Sequence, residues 1–424
     1  MKYIVRKSPL SGRVDIPGSK SHTIRALVCA LLSEGNSEII APLHSSDTRS
    51  CLDMIRQYGA KVTEKKDRWL IAGRGKDLLV PDNVVDVGNS GTSLYFGIGV
   101  ASLVKGTTIF TGDSQIRNRP ADGLLRAIND LGAQAFSSRD NGKPPLVIQG
   151  RMTGGTTSVE AVTSQYLSSL LLTAPGAMGD TNILVPLLNE APYVTMTLDW
   201  LELLNIQYSN NKMKEFFIPG RQTFRGFSRQ IPADFSSATF FLAAAAVTGS
   251  TLELHGLDFK DSQGDKEVVN ILEKMGAVVE KKKQSIVISG GSLKGGTFDL
   301  NAIPDALPAL SVVACFADGE TRLTRVPQAR LKETDRIAVM HRELSRMGAD
   351  IEELEDGLVI RGSRLRGAQV DGHHDHRVVM ALAVAAMGAD GDTVIDTAES
   401  VAVTFPTFPE LMRQAGASIE ETKE

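Results

Sequence analysis

The sequence predicts an α/β protein of two lobes, each holding three repeats around buried helices. Three observations carry this reading. The 424 residues exceed what a single hydrophobic core usually holds, which points to two lobes. A helix ending of one apolar residue followed by Gly-Ala recurs about every 72 residues. A second signal repeats with the same period: a polar cluster opens a stretch rich in Ala and Leu, and a glycine closes it.

Taken in chain order, the first signal stands at Tyr58-Gly59-Ala60, Leu131-Gly132-Ala133, Met275-Gly276-Ala277, Met347-Gly348-Ala349 and Ala415-Gly416-Ala417. Leu204-Asn205-Ile206 is a degenerate sixth copy. Glycine, or asparagine in that copy, supplies the left-handed residue that stops a helix and turns the chain into a strand. The second signal closes at Gly35, Gly106, Gly179, Gly249, Gly319 and Gly391. Each repeat then holds two helices, the Ala/Leu-rich one buried and the one ending in Gly-Ala more exposed. Six repeats divide into an N-terminal lobe over residues 19–228 and a C-terminal lobe over residues 1–18 and 229–424. The border falls between Gly226 and Ile231, because a fresh repeat opens just after.

Composition narrows the function. A net charge of −4 argues against nucleic acid as the main partner, though a local basic site stays compatible with it. No run reaches membrane-spanning length, and Met1-Lys2-Tyr3-Ile4-Val5 reads as a strand rather than a secretory signal. Cys29, Cys51 and Cys315 form no C-x-x-C pair and sit in apolar patterns, as packing residues in a reducing compartment do. The expected location is cytoplasmic.

The residues opening the six buried helices carry the chemistry. They are Lys20-Ser21 with Arg25, Gly88-Asn89-Ser90-Gly91-Thr92, Thr163-Ser164-Gln165, Asp234-Phe235-Ser236-Ser237, Pro304-Asp305 and Asp375-His376-Arg377. A helix start offers unpaired N–H groups and a positive dipole end, suited to phosphate or carboxylate. Capping alone explains any one cluster about as well. Six equivalent starts, two of them carrying Arg and one Lys, favour an anion site. Two further segments add cations: Gln115-Ile116-Arg117-Asn118-Arg119-Pro120, and Leu331-Lys332-Glu333-Thr334-Asp335-Arg336, where a helix would put Lys332 and Arg336 on one face.

Other chemistries fit less well. Three His and one Asp within His373–His376 cannot all face one metal ion from a helix start, and nothing distant completes a ligand set. Gly88–Thr92 lacks the lysine of a Walker loop, and Ser236 and Ser237 lack the strand-turn setting of a nucleophile elbow.

In combination and in order, these motifs resemble the EPSP synthase family of enolpyruvyl transferases, over essentially the whole chain. The matching residues are Pro17-Gly18-Ser19-Lys20-Ser21 with Arg25, Gly88–Thr92, Arg119-Pro120, Ser164-Gln165, Lys332–Arg336 and Asp375-His376-Arg377. The resemblance implies βαβαββ units around buried parallel helices, an inside-out α/β barrel, with the first strand crossing into the C-terminal lobe. It implies transfer of the enolpyruvyl group of phosphoenolpyruvate to the 5-hydroxyl of shikimate 3-phosphate, by a monomer needing no metal or organic cofactor. Matched position by position, Asp305 is the base at the acceptor hydroxyl, and Glu333 and Lys20 move protons at carbon and at the leaving phosphate. Arg119, Arg336 and Arg377 clamp phosphoenolpyruvate, with Asn89, Gly91 and Thr92 at its binding loop. Ser21, Arg25, Thr163, Ser164, Gln165, Tyr193 and Lys332 match acceptor-binding positions.

Four positions depart from the family pattern. Val403 stands where the family has a lysine, which removes a charged hydrogen bond worth roughly 1.5–3 kcal/mol. Glu190 stands where the family usually has the serine that helps hold the acceptor's phosphate. A carboxylate about 4 Å from a phosphate charge costs roughly 4 kcal/mol at an effective dielectric near 20. Tyr95 and Gln328 replace the common Arg and Asn. Glu190 and Val403 keep open a transferase of this fold acting on a different cyclic alcohol. A cysteine missing between Asp113 and Arg119 disfavours UDP-N-acetylglucosamine as acceptor. An RNA 3′-phosphate cyclase, which shares the repeat type, is disfavoured by the acidic balance.

Overall fold

The computed structural model describes residues 1–423. The chain forms two compact units, one of Gly18–Ile231 and the other of Met1–Pro17 together with everything from Pro232 onward. In the first unit the helices are α1 (Lys20–Leu32), α2 (Ser46–Gln57), α3 (Gly91–Ala101), α4 (Asp122–Asp130), α5 (Ser164–Thr173) and α6 (Ala191–Leu203). In the second they are α7 (Phe235–Thr248), α8 (Glu267–Met275), α9 (Leu307–Cys315), α10 (Arg336–Arg346), α11 (His376–Gly388) and α12 (Phe408–Gln414).

Odd-numbered helices form the cores. Every residue of α3 and α9 is buried, as is all of α7 except its last two residues. Their runs of Ala and Gly let backbones approach closely, and Leu, Val and Phe between them each gain roughly 1.5–3 kcal/mol on burial. In the second unit α7, α9 and α11 pack against one another; in the first, α3 packs on both α1 and α5. Even-numbered helices bury one stripe only. In α8, for example, Val268, Val269, Ile271, Leu272 and Met275 are buried while the opposite face is charged.

Each unit wraps its three buried helices in three four-stranded sheets of one design. In the sheet Thr297–Asp299, Glu320–Thr324, Gly357–Arg361, Asp350–Leu354, the first pair is parallel and the other two are antiparallel. The parallel pair needs a crossover, which the buried helix provides. The helix ending that marks each repeat is left-handed in all six copies, with φ of 97° at Gly59, 94° at Gly132, 55° at Asn205, 108° at Gly276, 92° at Gly348 and 106° at Gly416. Asparagine tolerates that region better than other side chains, which is why the degenerate copy still turns.

The opening strands are exchanged between units. Ser11–Asp15 precedes α1 in the chain yet pairs with Thr251–His255, which follows α7. Ser228–Gln230 precedes α7 yet pairs with Asn36–Ile40, which follows α1. That pairing keeps residues 228–230 with the first unit, so the chain leaves it only after Ile231. At the ends of the chain, Lys2–Arg6 lies between Thr393–Asp396 and Ser418–Thr422 in one sheet.

One local expectation is corrected. Lys332 and Arg336 do not share a helix face, because the 3₁₀ helix Pro327–Leu331 stops before Lys332 and α10 begins only at Arg336. The Asp335 side chain fixes that start by accepting the N–H of Ala338 at 3.0 Å.

Candidate active site

Many of the sequence-predicted residues stand at the starts of buried helices, whereas Arg119, Lys332 and Glu333 lie on connecting segments and Tyr193 and Arg336 lie in the first turns of α6 and α10. In the second unit, the guanidinium of Arg336 is the hub. Its exposure is 1%, and it donates to three carboxylates: Asp305 Oδ1 at 2.7 Å, Glu333 Oε2 at 2.5 Å, and Asp375 Oδ2 and Oδ1 at 2.8 and 3.2 Å. Burial alone lowers the pKa of this group, but Asp375, Glu333 and Asp305 outweigh it and hold the cation more firmly than in water. Arg377 completes the lattice. Its Nη2 lies 3.0 Å from Asp305 Oδ2, and its Nη1 donates to Ser236 Oγ at 2.7 Å. Each Asp305 oxygen is therefore aimed by a different arginine. Asp375 also caps α11, accepting the backbone N–H of Arg377 at 2.9 Å, so one buried side chain aims the Arg336 guanidinium and fixes the helix start that carries Arg377.

His376, between Asp375 and Arg377, is 1% exposed, and neither ring nitrogen has a hydrogen-bond partner among the described residues. Burial pushes its pKa down to about 3, against an upward pull from Glu333 and Asp375, so the ring is neutral. The residues His373 and His374 face elsewhere. His373 Nε2 meets the fully buried Glu343 carboxylate at 2.9 Å, which pins the loop leading into α11 to α10. Among the described residues no group of three His, Cys, Asp or Glu is arranged to hold a metal ion.

In the first unit, Lys20 and Ser21 open α1. Lys20 Nζ lies 3.1 Å from the buried Asp47 Oδ2 at the start of α2. Arg25, one turn further on, has an exposure of 2% and donates only to neutral oxygens: Thr197 Oγ1 at 2.9 Å, Ser168 Oγ at 3.4 Å, and the carbonyls of Ser21 and Tyr193 at 3.1 and 2.8 Å. Burial lowers its pKa to about 10, and its guanidinium carbon stands 5.3 Å from the Phe96 ring centroid. The Ser90 side chain caps α3, accepting the N–H of Ser93 at 3.3 Å. Gly91 at that start is where side chains converge: a Cβ there would lie 3.2 Å from Arg119 Nη1 and 3.8 Å from Gln165 Oε1. Thr92 is buried beside it. Asn89 serves the neighbouring loop, its amide donating to Asp113 Oδ2 at 2.6 Å and Gln115 Oε1 at 2.5 Å.

Thr163 caps α5, and the α5 start already holds an anion. Glu190 Oε2 accepts from Ser164 N–H at 3.1 Å, Ser164 Oγ at 2.7 Å and Thr163 Oγ1 at 3.3 Å. Tyr95, where the family has Arg, has a structural task. Its hydroxyl and that of Tyr166 both donate to the Pro120 carbonyl, at 2.9 and 2.7 Å, and so fix the turn that carries Arg119. Gln328 donates to the Asn301 carbonyl at 2.9 Å.

The arrangement holds acids, cations and helix starts of the kinds that anion-to-hydroxyl group transfer needs. The sequence model of the EPSP synthase family, 3-phosphoshikimate 1-carboxyvinyltransferase, matches residues 4–412. The chain belongs to the EPSP synthase family. It is 55% identical to the 3-phosphoshikimate 1-carboxyvinyltransferase of Acetivibrio thermocellus over 415 residues, covering 98% of each chain. To that of Methanococcoides burtonii it is 41% identical over 425 residues, covering 99% of each. A solved EPSP synthase from Acinetobacter baumannii superposes with a TM-score of 0.83 at 28% identity, covering 99% of this chain and 100% of that one. Membership of the family fixes the fold class as the mixed α/β, two-lobed architecture.

Several partners of the predicted site residues gave no clear signal in the sequence. Asp47, Ser168 and Thr197 were unremarkable polar residues in helices, and their pairing with Lys20 and Arg25 crosses from one helix to another. A buried helix face carrying Ser168 and Ser169 was a usable signal, since hydroxyls in an apolar helix need partners.

Proposed function

We propose that this chain transfers the enolpyruvyl group of phosphoenolpyruvate to the 5-hydroxyl of shikimate 3-phosphate and releases phosphate. The observation that carries the reading is the lattice of half-buried Asp305 and Glu333 and buried Asp375 around the buried Arg336, joined by Arg377, in a chain of this family. Such a lattice supplies acid–base groups and anion clamps held in fixed directions, so little reorganisation remains when charge develops.

In the reaction, a proton is added to the methylene carbon of phosphoenolpyruvate, and C2 becomes cation-like. The acceptor hydroxyl attacks C2 and gives up its proton, forming a tetrahedral adduct. Loss of phosphate from C2 and of a proton from the new methyl group restores the enol ether. In our assignment Asp305 takes the hydroxyl proton. Glu333 handles the proton at carbon, and Lys20 supplies the proton or positive charge that the leaving phosphate requires. Arg119, Arg336 and Arg377 hold the carboxylate and phosphate of phosphoenolpyruvate through planar forks. Gly91 permits close approach beside Arg119, with Thr92 and Asn89 shaping that loop. Ser21, Arg25, Thr163, Ser164, Gln165, Tyr193 and Lys332 hold the acceptor. We further assign a cytoplasmic monomer acting on small molecules; three buried free thiols are in keeping with a reducing compartment.

The test is phosphate release from phosphoenolpyruvate with and without shikimate 3-phosphate. Acceptor-dependent release is expected, with the enol ether as product. A folded protein that releases none, or releases it equally without acceptor, overturns the proposal.

A further inference from the structure

Glu190 sits where a side chain of its charge has no ordinary reason to be. Its exposure is 2%, and its backbone is left-handed at φ 57°, a region that longer side chains seldom adopt. It opens α6 without capping that helix. Instead its carboxylate reaches across to the start of α5, where one oxygen takes the Ser164 N–H, the Ser164 hydroxyl and the Thr163 hydroxyl. Those three donors, with the positive end of the α5 dipole, form an anion site, and here the anion belongs to the protein.

A second buried group adds positive charge to the same region. Arg25 donates to Ser168, one turn along α5 from Ser164, and to the carbonyl of Tyr193, three residues after Glu190. Its hydrogen bonds are all to neutral oxygens, so no bonded carboxylate cancels its charge. A phosphate monoester would use the same N–H and hydroxyl donors that Glu190 uses. Two anions cannot share them at hydrogen-bond distance without strong repulsion. Because α6 begins without a side-chain cap, a released carboxylate has a second helix start beside it.

We infer that Glu190 is a built-in competitor for the acceptor's phosphate: the acceptor binds by displacing the Glu190 carboxylate from the α5 start, and this residue sets the affinity for phosphorylated acceptors. The inference rests on the acceptor reading given under Proposed function. It adds that Glu190 discriminates by opposing the phosphate, so its removal helps phosphorylated ligands and no others.

The experiment measures binding of shikimate 3-phosphate, shikimate and inorganic phosphate to the full chain by calorimetry, for the wild type, Glu190→Ser and Glu190→Gln. Both variants are first checked for folding by circular dichroism. Glu190→Ser is expected to bind shikimate 3-phosphate about tenfold or more tighter and shikimate within about twofold of wild type. Glu190→Gln, which keeps the shape and loses the charge, is expected to show a smaller gain in the same direction. Unchanged or weaker binding of shikimate 3-phosphate by both variants overturns the inference, since Glu190 would then be an organiser of Ser164. An equal gain for shikimate also overturns it. Failure of the proposed function looks different: the wild type then shows no acceptor-dependent phosphate release, whatever the variants bind.

Discussion

Arg336 and Arg25 are both buried arginines on helices, and they are held in opposite ways. Arg336 touches three carboxylates, which hold it charged. Arg25 touches hydroxyls and carbonyls only, so its charge is solvated without being cancelled. The contrast separates two uses of a buried cation. One is a strut that aims catalytic acids beside the phosphoenolpyruvate it helps to hold; the other holds positive potential in reserve for the acceptor.

The largest effect that tests this contrast belongs to Arg336→Met. The buried Asp375 and the half-buried Asp305 and Glu333 would lose their common partner, and a buried pair broken on one side costs about 3–5 kcal/mol. Urea unfolding should show a loss of that size together with near-complete loss of turnover. If Arg336→Met unfolds like wild type, the strut reading is wrong. Arg25→Met should behave differently. Neutral partners can re-pair among themselves, since Thr197 Oγ1 already lies 2.9 Å from Ser168 Oγ, so stability should change by less than about 2 kcal/mol. Acceptor affinity should fall by about 2–5 kcal/mol, roughly 30-fold or more, measured by calorimetry. A variant that unfolds readily yet binds acceptor normally would reverse the two roles.

The smallest effect sharpens the picture of the Arg336 lattice through pH. His376 has a folded pKa of about 3, below its unfolded value near 6.5. Above pH 6.5 neither state takes up a proton at this residue. As pH falls from 6.5 toward 3, only the unfolded state does, so stability is lost across that window. Between pH 7 and 5 the loss from this one ring is up to about 2 kcal/mol. His376→Phe should flatten the stability–pH curve between those values. An unchanged slope would mean that the ring is not held neutral by its surroundings.

Much of this was legible in the sequence because it depends on period and chain order. Six left-handed helix ends and six polar helix starts are local events, and each announces itself within a few residues. The lattice around Arg336 was half legible. Its members stood in the motifs, but that Asp305, Glu333 and Asp375 converge on one guanidinium depends on packing between α9, α10 and α11. Glu190 shows the limit most clearly. Its charge was visible and its conflict with a phosphate could be stated, yet whether it turned toward or away from that position depended on a left-handed backbone at a helix start. Nothing in Glu190-Ala191-Pro192-Tyr193 specifies that geometry. Lys332 was misplaced for a similar reason. A run of helix formers suggests a helix, but Asp335 caps and so begins α10 one residue before Arg336.

The exchange of opening strands has a consequence for synthesis. Gly18–Ile231 is one uninterrupted stretch, and every strand in its three sheets lies within it, so this half can finish folding while later residues are still being translated. The other half cannot. Its sheets need Lys2–Arg6 and Ser11–Asp15, made first, to wait for Ser418–Thr422 and Thr251–His255, made long afterwards. An early segment rich in unpaired backbone must therefore wait through the synthesis of some four hundred residues before Lys2–Arg6 meets Ser418–Thr422.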